Sequence, residues 1–157
     1  MTPIEALVVL SLQWVPCPTT ETADECAAHR EDIATDALAI AATDPLPKRG
    51  AEGTAVLIMA TASLESRYDE TAVSPTGARC IMQVHPLGAE NVDTRLDCIR
   101  VALGRMHWSW DVCAYRSKDW MSNYCTGRCF DHQKDARVRL SRAAWGVERF
   151  KALTVKR

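Results

Sequence analysis

Residues 54–64 read TAVLIMATASL, a helix-length stretch with no charged side chain and no polar face. A helix that is apolar all round has to be enclosed by the rest of the chain. This one is expected to start at about Ala51 and to run into Glu65-Ser66-Arg67-Tyr68, so a carboxylate stands where the apolar run ends. A chain of 157 residues can enclose one such helix in a single core but is short for two domains. The expectation is a mainly α, single-domain fold with at most a very small β-hairpin.

The flanking segments supply the enclosure. Thr2-Pro3-Ile4-Glu5 has the form of a helix start, with Thr2 as N-cap, Pro3 in the first position and Glu5 closing a capping box. That helix should run to about Val15 and stop at Pro16-Cys17-Pro18. Thr22 and Glu25 form a second capping box for a helix to about Ala42, with Cys26, Ile33, Ala37, Ile40 and Ala41 on one stripe. Residues 43–50 (TDPLPKRG) break the pattern. Turn chemistry at Ser74-Pro75-Thr76-Gly77 precedes a short apolar segment, 80–84. Next come a helix from about Asp93 to His107, a Trp-rich turn at Trp108-Ser109-Trp110, a short helix from Ser117 to Tyr124 and a turn at Gly127. A last, basic helix over 131–151 should face inward with Leu140, Ala144, Val147 and Phe150. The domain 1–157 thus divides into N-terminal helices (3–42), a motif-bearing core (51–130) and the basic helix.

Seven cysteines in a chain this short point to disulfides, with at least one thiol left over because the count is odd. Mostly free thiols are the second reading and zinc the weakest. Cys113, Cys125, Cys129 and His132 could be stretched into a ligand set, but the chain has no C-x2-C pair, so no metal site and no cofactor is expected. A net charge of −1 provides no overall field to attract nucleic acid. The first hundred residues carry 7 basic and 15 acidic side chains and the remainder 12 and 5, which implies a self-complementary fold or a cationic C-terminal face. The longest apolar stretch outside the central helix, 6–15, is interrupted by Gln13 and falls short of the roughly 20 residues a bilayer span needs. No positive charge precedes it, so it reads as a mature helix rather than a signal peptide.

Glu65 admits two readings. It is an exposed helix terminus with an ordinary pKa, or a carboxyl held against apolar walls, whose raised pKa would make it a general acid at neutral pH. The residues that follow bear on the choice. Glu65-Ser66, the aromatic Tyr68, Ala72-x-Ser74-x-x-Gly77-Ala78, Met82-Gln83-Val84 and Pro86 reproduce a spacing over 22 residues that resembles the signature of the soluble lytic transglycosylase family. Tyr124-Cys125-Thr126-Gly127 resembles that family's later Y-N-x-G motif. Two positions depart from the pattern: Cys80 stands where the family has Gly, and Cys125 where it has Asn. Both flank the expected groove, which suggests that Cys80 and Cys125 are bonded or adjacent.

The resemblance implies a lysozyme-like fold and cleavage of the MurNAc-β-1,4-GlcNAc bond of peptidoglycan. Glu65 would protonate the glycosidic oxygen, then deprotonate the muramyl C6 hydroxyl, leaving a 1,6-anhydro end. One carboxyl suffices because the nucleophile belongs to the substrate, whereas hydrolytic glycosidases normally use two. Asp69 and Glu70, the nearest acids in sequence, are expected on the surface. Substrate-binding roles are implied for five residues. Gln83 would contact an acetamido group or Glu65, and Met82 would form an apolar floor. Ser74 would hold the loop or a sugar hydroxyl, and Ser66 would bond near the scissile linkage or simply close the helix. Tyr124 would donate toward Glu65. Trp108 and Trp110 are candidates for stacking on sugars or for core and hinge roles. His85 reads as a loop residue, and the basic face of the last helix (Lys134, Arg137, Arg139, Arg142, Arg149) as solvated or drawn to the anionic wall.

Two other functions stay open: a goose-type muramidase hydrolysing the same bond, and a structural or peptidoglycan-binding protein that has lost turnover. The expected place of action is the cell envelope (periplasm). A small domain without an obvious leader fits a phage virion or endolysin, or a secretion apparatus, whose proteins would then be its partners.

Overall fold

The structure is a computed structural model describing residues 1–131 and 133–155. Its helices are α1 (Pro3–Trp14), α2 (Ala23–Thr43), α3 (Gly50–Glu65), α4 (Arg95–Cys113), α5 (Ser122–Thr126) and α6 (Gln133–Thr154). The apolar stretch is the middle of α3, and every residue from Gly53 to Ser63 is buried. Helices α1, α2 and α6 pack around it. Burial on all sides makes α3 the axis of the molecule, and its C-terminal end is where the enclosure opens.

Both capping boxes form as expected. Glu5 accepts from the Thr2 backbone N–H at 2.8 Å while Thr2 Oγ1 accepts from the Glu5 N–H at 3.2 Å. Thr22 and Glu25 repeat the arrangement at the same distances. After α1, the Cys17–Cys26 disulfide ties the proline turn to the first turn of α2. The Cys80–Cys98 bond ties the long α3–α4 connection to α4, and Cys113–Cys129 ties the end of α4 to the segment before α6. Three disulfides and one free thiol, at Cys125, match the expectation from the odd count.

Several details differ from the sequence reading. Helix α4 continues through the tryptophans instead of turning there, because its buried stripe (Cys98, Ile99, Ala102, Leu103, Met106, Ser109, Cys113) keeps helical spacing past His107. Trp110 packs edge-on against Trp120 at 5.3 Å. The short helix starts at Ser122 rather than Ser117, since Ser117 Oγ accepts from the Asp119 N–H and holds a turn there. Among the described residues, the expected hairpin reduces to two isolated antiparallel bridges, Val73 with Arg79 and Arg79 with Val84. The start of the basic helix at 131–132 includes His132, which lies outside the described residues. Its inner face is Ala136, Ala143, Gly146 and Phe150, with Leu140 and Val147 half-buried, and Ala144 points to solvent.

At Gly146, α6 packs tightly against Trp14 of α1 and Val56 of α3. A Cβ there would lie 2.8 Å from both Trp14 Cζ2 and Val56 Cγ1. Overpacking of this kind costs about 1–3 kcal/mol, against about 1 kcal/mol gained from alanine's helix propensity. Gly146→Ala should therefore lower stability, with Tm falling by about 2–4 °C per kcal/mol of net loss for a domain of this size. A thermal melt followed by circular dichroism checks it.

Candidate active site

Glu65 is the last residue of α3 and lines a groove of about 500 Å³ together with Ser74, Gln83, Tyr124, Cys125 and Arg139 among others. Three parts of the chain meet there: the end of α3, the irregular loop after it, and α5 with the first half of α6. Its side chain is only 18% exposed. Burial pushes the Glu65 carboxyl above the usual carboxylate range. The Arg139 charge and its hydrogen bonds pull the other way, and the nearby Asp135 adds a smaller push upward. Arg139 reaches across from α6 and gives both Nε (3.1 Å) and Nη2 (2.5 Å) to the same oxygen, Oε1. A third donor, Nη1, is anchored on the Asp135 carbonyl at 2.9 Å.

The loop side of the groove is held by hydrogen bonds to backbone. Ser66 closes α3, and its Oγ donates to the Ile81 carbonyl at 2.9 Å, tying the helix end to the 80–84 segment. Ser74 lines the groove, and its Oγ accepts from the Ala78 N–H. The Gln83 amide donates to the carbonyls of Ala72 and Cys80, both at 2.9 Å, so it spans the loop and is not hydrogen-bonded to Glu65. Met82 is fully buried in the core and does not line the groove. The Tyr124 hydroxyl lines the groove but donates to the Met82 carbonyl at 3.2 Å, not to Glu65. Burial and the Glu65 charge both push its pKa up, which keeps it a neutral donor. Tyr68 is buried with its hydroxyl on the Met59 carbonyl and the Arg30 guanidinium 3.9 Å over its ring.

Residues 48–103 match the family model described as the transglycosylase SLT domain. Over this segment, about a third of the chain, the protein is similar to the SLT family. No curated protein and no solved structure gives a significant match. The mainly helical architecture is consistent with the lysozyme-like fold of SLT domains. The matched segment contains Glu65 and the loop to Pro86 but ends before α5 and α6, which form the opposite wall of the groove.

On the SLT side, Cys80 keeps the backbone that a glycine would favour. Its φ is +64°, and Arg67, Tyr68 and Gln83 in the same loop are also left-handed at +59°, +70° and +45°. Such residues cost on the order of 1–3 kcal/mol each and persist only where their surroundings hold them. Cys80 is held by its bond to Cys98, so the proposed pairing with Cys125 is wrong. Cys125 stands across the groove on α5 as a free thiol. The stretched zinc set also fails, because the sulfurs of Cys113 and Cys129 are bonded to each other. Glu70 is not a bare surface acid: it bonds His29 at 3.0 Å and Arg95 at 2.7 Å, while Asp69 is exposed.

Arg139, Asp135 and Arg105 are groove residues that sequence reasoning did not place there. Nothing in the motif spacing marks them, and Arg139 reads as one more cation on a basic helix. The one available signal was the acid–arginine pair at positions i and i+4 facing the same way. Arg142 behaves similarly, donating to Ser63 Oγ of α3 at 2.7 Å, so the excess charge of the C-terminal part is partly spent on the centre of the molecule.

Two measurements follow. In a ¹³C-carboxyl NMR titration, Glu65 should have a midpoint above ordinary glutamates. It should rise further in Arg139→Gln, since removing a positive neighbour disfavours the charged form. Burial also pushes the Cys125 thiol up to about 11. Alkylation of the native protein by iodoacetamide should therefore be confined to Cys125, slow at neutral pH and faster as the pH approaches that value.

Proposed function

We propose that this protein cleaves the MurNAc-β-1,4-GlcNAc linkage of peptidoglycan by lytic transglycosylation, with Glu65 as general acid and then general base. The observation that carries the reading is a largely buried carboxyl, paired with Arg139, that lines a groove of about 500 Å³ and whose burial outweighs the pull of that arginine. Raised proton affinity is what a glycosidase acid needs at neutral pH. Because both Arg139 bonds go to Oε1, the proton belongs on Oε2.

In the first half-reaction that proton passes to the glycosidic oxygen and the C1–O bond breaks. The carboxylate so formed gains the full attraction of Arg139, which stabilises the charge as it develops. In the second, the carboxylate takes the proton of the muramyl C6 hydroxyl while that oxygen bonds C1, and the acid is regenerated. Gln83, Ser66 and Ser74 serve by holding the loop that forms one wall. Tyr124 and Met82 act together, the hydroxyl of one on the carbonyl of the other, to fix the groove's floor. Arg139 is assigned as the residue that positions Glu65.

Asp135 favours a second reading. It lines the same groove, and a second carboxylate near the acid is the requirement for hydrolysis, as in a goose-type muramidase. Three disulfides agree with an oxidising place of work such as the periplasm. A phage particle, a lysis step or a secretion apparatus crossing the wall are settings in which a domain of this size would act.

Mass spectrometry of digested sacculi separates the readings. Lytic cleavage gives fragments lighter by one water, about 18 Da, than the reducing ends that hydrolysis leaves. Anhydro ends are expected, and Glu65→Gln should lose about 10²–10⁴-fold in rate. Reducing ends that disappear in Asp135→Asn would establish the muramidase instead. Binding of sacculi without fragments from either protein would leave a binding module.

A further inference from the structure

Beside the groove lies a second cavity of about 210 Å³ that shares Arg105 and Tyr124 with it. Its other lining residues include Leu87, Trp108, Ser109 and Asn123. Asn123 is 5% exposed and Ser109 fully buried, yet Asn123 Oδ1 and Ser109 Oγ have no hydrogen-bond partner among the described residues. Arg105 Nε is likewise buried without one, although its Nη2 bonds the His85 carbonyl and, at 2.6 Å, Glu90. Buried polar atoms are rarely left unpaired, and each such atom calls for an explanation. Here three stand on one small cavity. At the same place Trp108 and Leu87 are 55% and 67% exposed, large apolar side chains left open to solvent.

A ligand that satisfies both features has an apolar face and polar groups around its edge. A pyranose ring is such a body: its C–H face stacks on an indole while its equatorial substituents reach hydrogen-bonding groups at the rim. We propose that this cavity is a binding subsite for one N-acetylhexosamine ring of the glycan strand, with Trp108 as the stacking platform and Asn123 Oδ1 accepting from the acetamido N–H. Ser109 Oγ and Arg105 Nε take the remaining polar groups. The inference rests on the glycan-cleaving reading and extends it: the strand continues from Glu65 past Tyr124 and Arg105 onto α4. Trp110, the other tryptophan of the pair, has no such role because it is spent on Trp120.

The test is calorimetric titration of tri-N-acetylchitotriose into the Glu65→Gln protein, which reads binding without turnover. Trp108→Ala should weaken binding about tenfold, and Trp108→Phe should recover most of the loss. Trp108 is exposed, so these variants should keep the parent's melting temperature. Cellotriose, which lacks the acetamido group, should bind more weakly than the acetylated trimer, and the gap should close in Asn123→Ala. Equal affinity in Trp108→Ala, or no binding of the trimer to the Glu65→Gln protein, would overturn the subsite. If the wild type releases anhydro-ended fragments and Trp108→Ala does so at the same KM, the subsite falls and the cleavage reading stands. Trp108-dependent binding without any fragments would do the reverse.

Discussion

A helix with no polar side must be surrounded, and the rest of this molecule follows from that need. Helices α1, α2 and α6 enclose the apolar length of α3. Enclosure cannot continue past the helix end, where the chain turns out into the irregular 66–94 loop. Glu65 sits at that boundary: it is the first charged side chain on α3 since Glu52, and it meets apolar walls on one side and the groove on the other. The position of the carboxyl and its raised proton affinity therefore share one cause, the burial of the helix that carries it.

Arg139 sets how far that effect goes. A fully isolated buried carboxylate would be so costly that it would stay protonated throughout, unable to act as a base. An arginine with full Coulombic control would hold it ionised, unable to act as an acid. Here the burial is the larger influence and the ion pair opposes it, the balance that the proposed acid-then-base role would require. The two partners are 74 residues apart in sequence and on different helices, so this balance is a property of how α6 lies across α3.

The loop between α3 and α4 has almost no regular structure, with two isolated bridges among its described residues, and is held by other means. Side-chain hydrogen bonds from Ser66, Ser74 and Gln83 join its own backbone segments, and the Cys80–Cys98 bond fastens it to α4. Four non-glycine residues there keep left-handed backbone. That a cysteine occupies the left-handed position at 80 is understandable, because the covalent tie can hold a conformation that a free side chain would resist. The same α4 then offers its outer face, with Trp108, to the solvent beside the groove.

Local rules made much of this visible in the residues alone. The all-round apolar run dictated a central helix, the Thr–Glu spacings dictated two helix starts, and the odd cysteine count required a free thiol. The spacing from Glu65 to Pro86 carried the resemblance to the SLT family because those residues are neighbours along the chain, and that segment lies inside the matched residues. Pairings across the fold were not readable. The partner of Cys80, the hydrogen-bond acceptor of Tyr124, the burial of Met82 and the arrival of Arg139 and Asp135 at Glu65 depend on which helix faces come together. A basic helix has several equivalent arginines, and only its rotation and height against α3 select the one that touches the acid. The chain's own order determined the helices and the acid; the packing of α4, α5 and α6 decided that acid's electrostatic partner and the shape of the groove around it, because long-range contacts carry no fixed spacing in sequence.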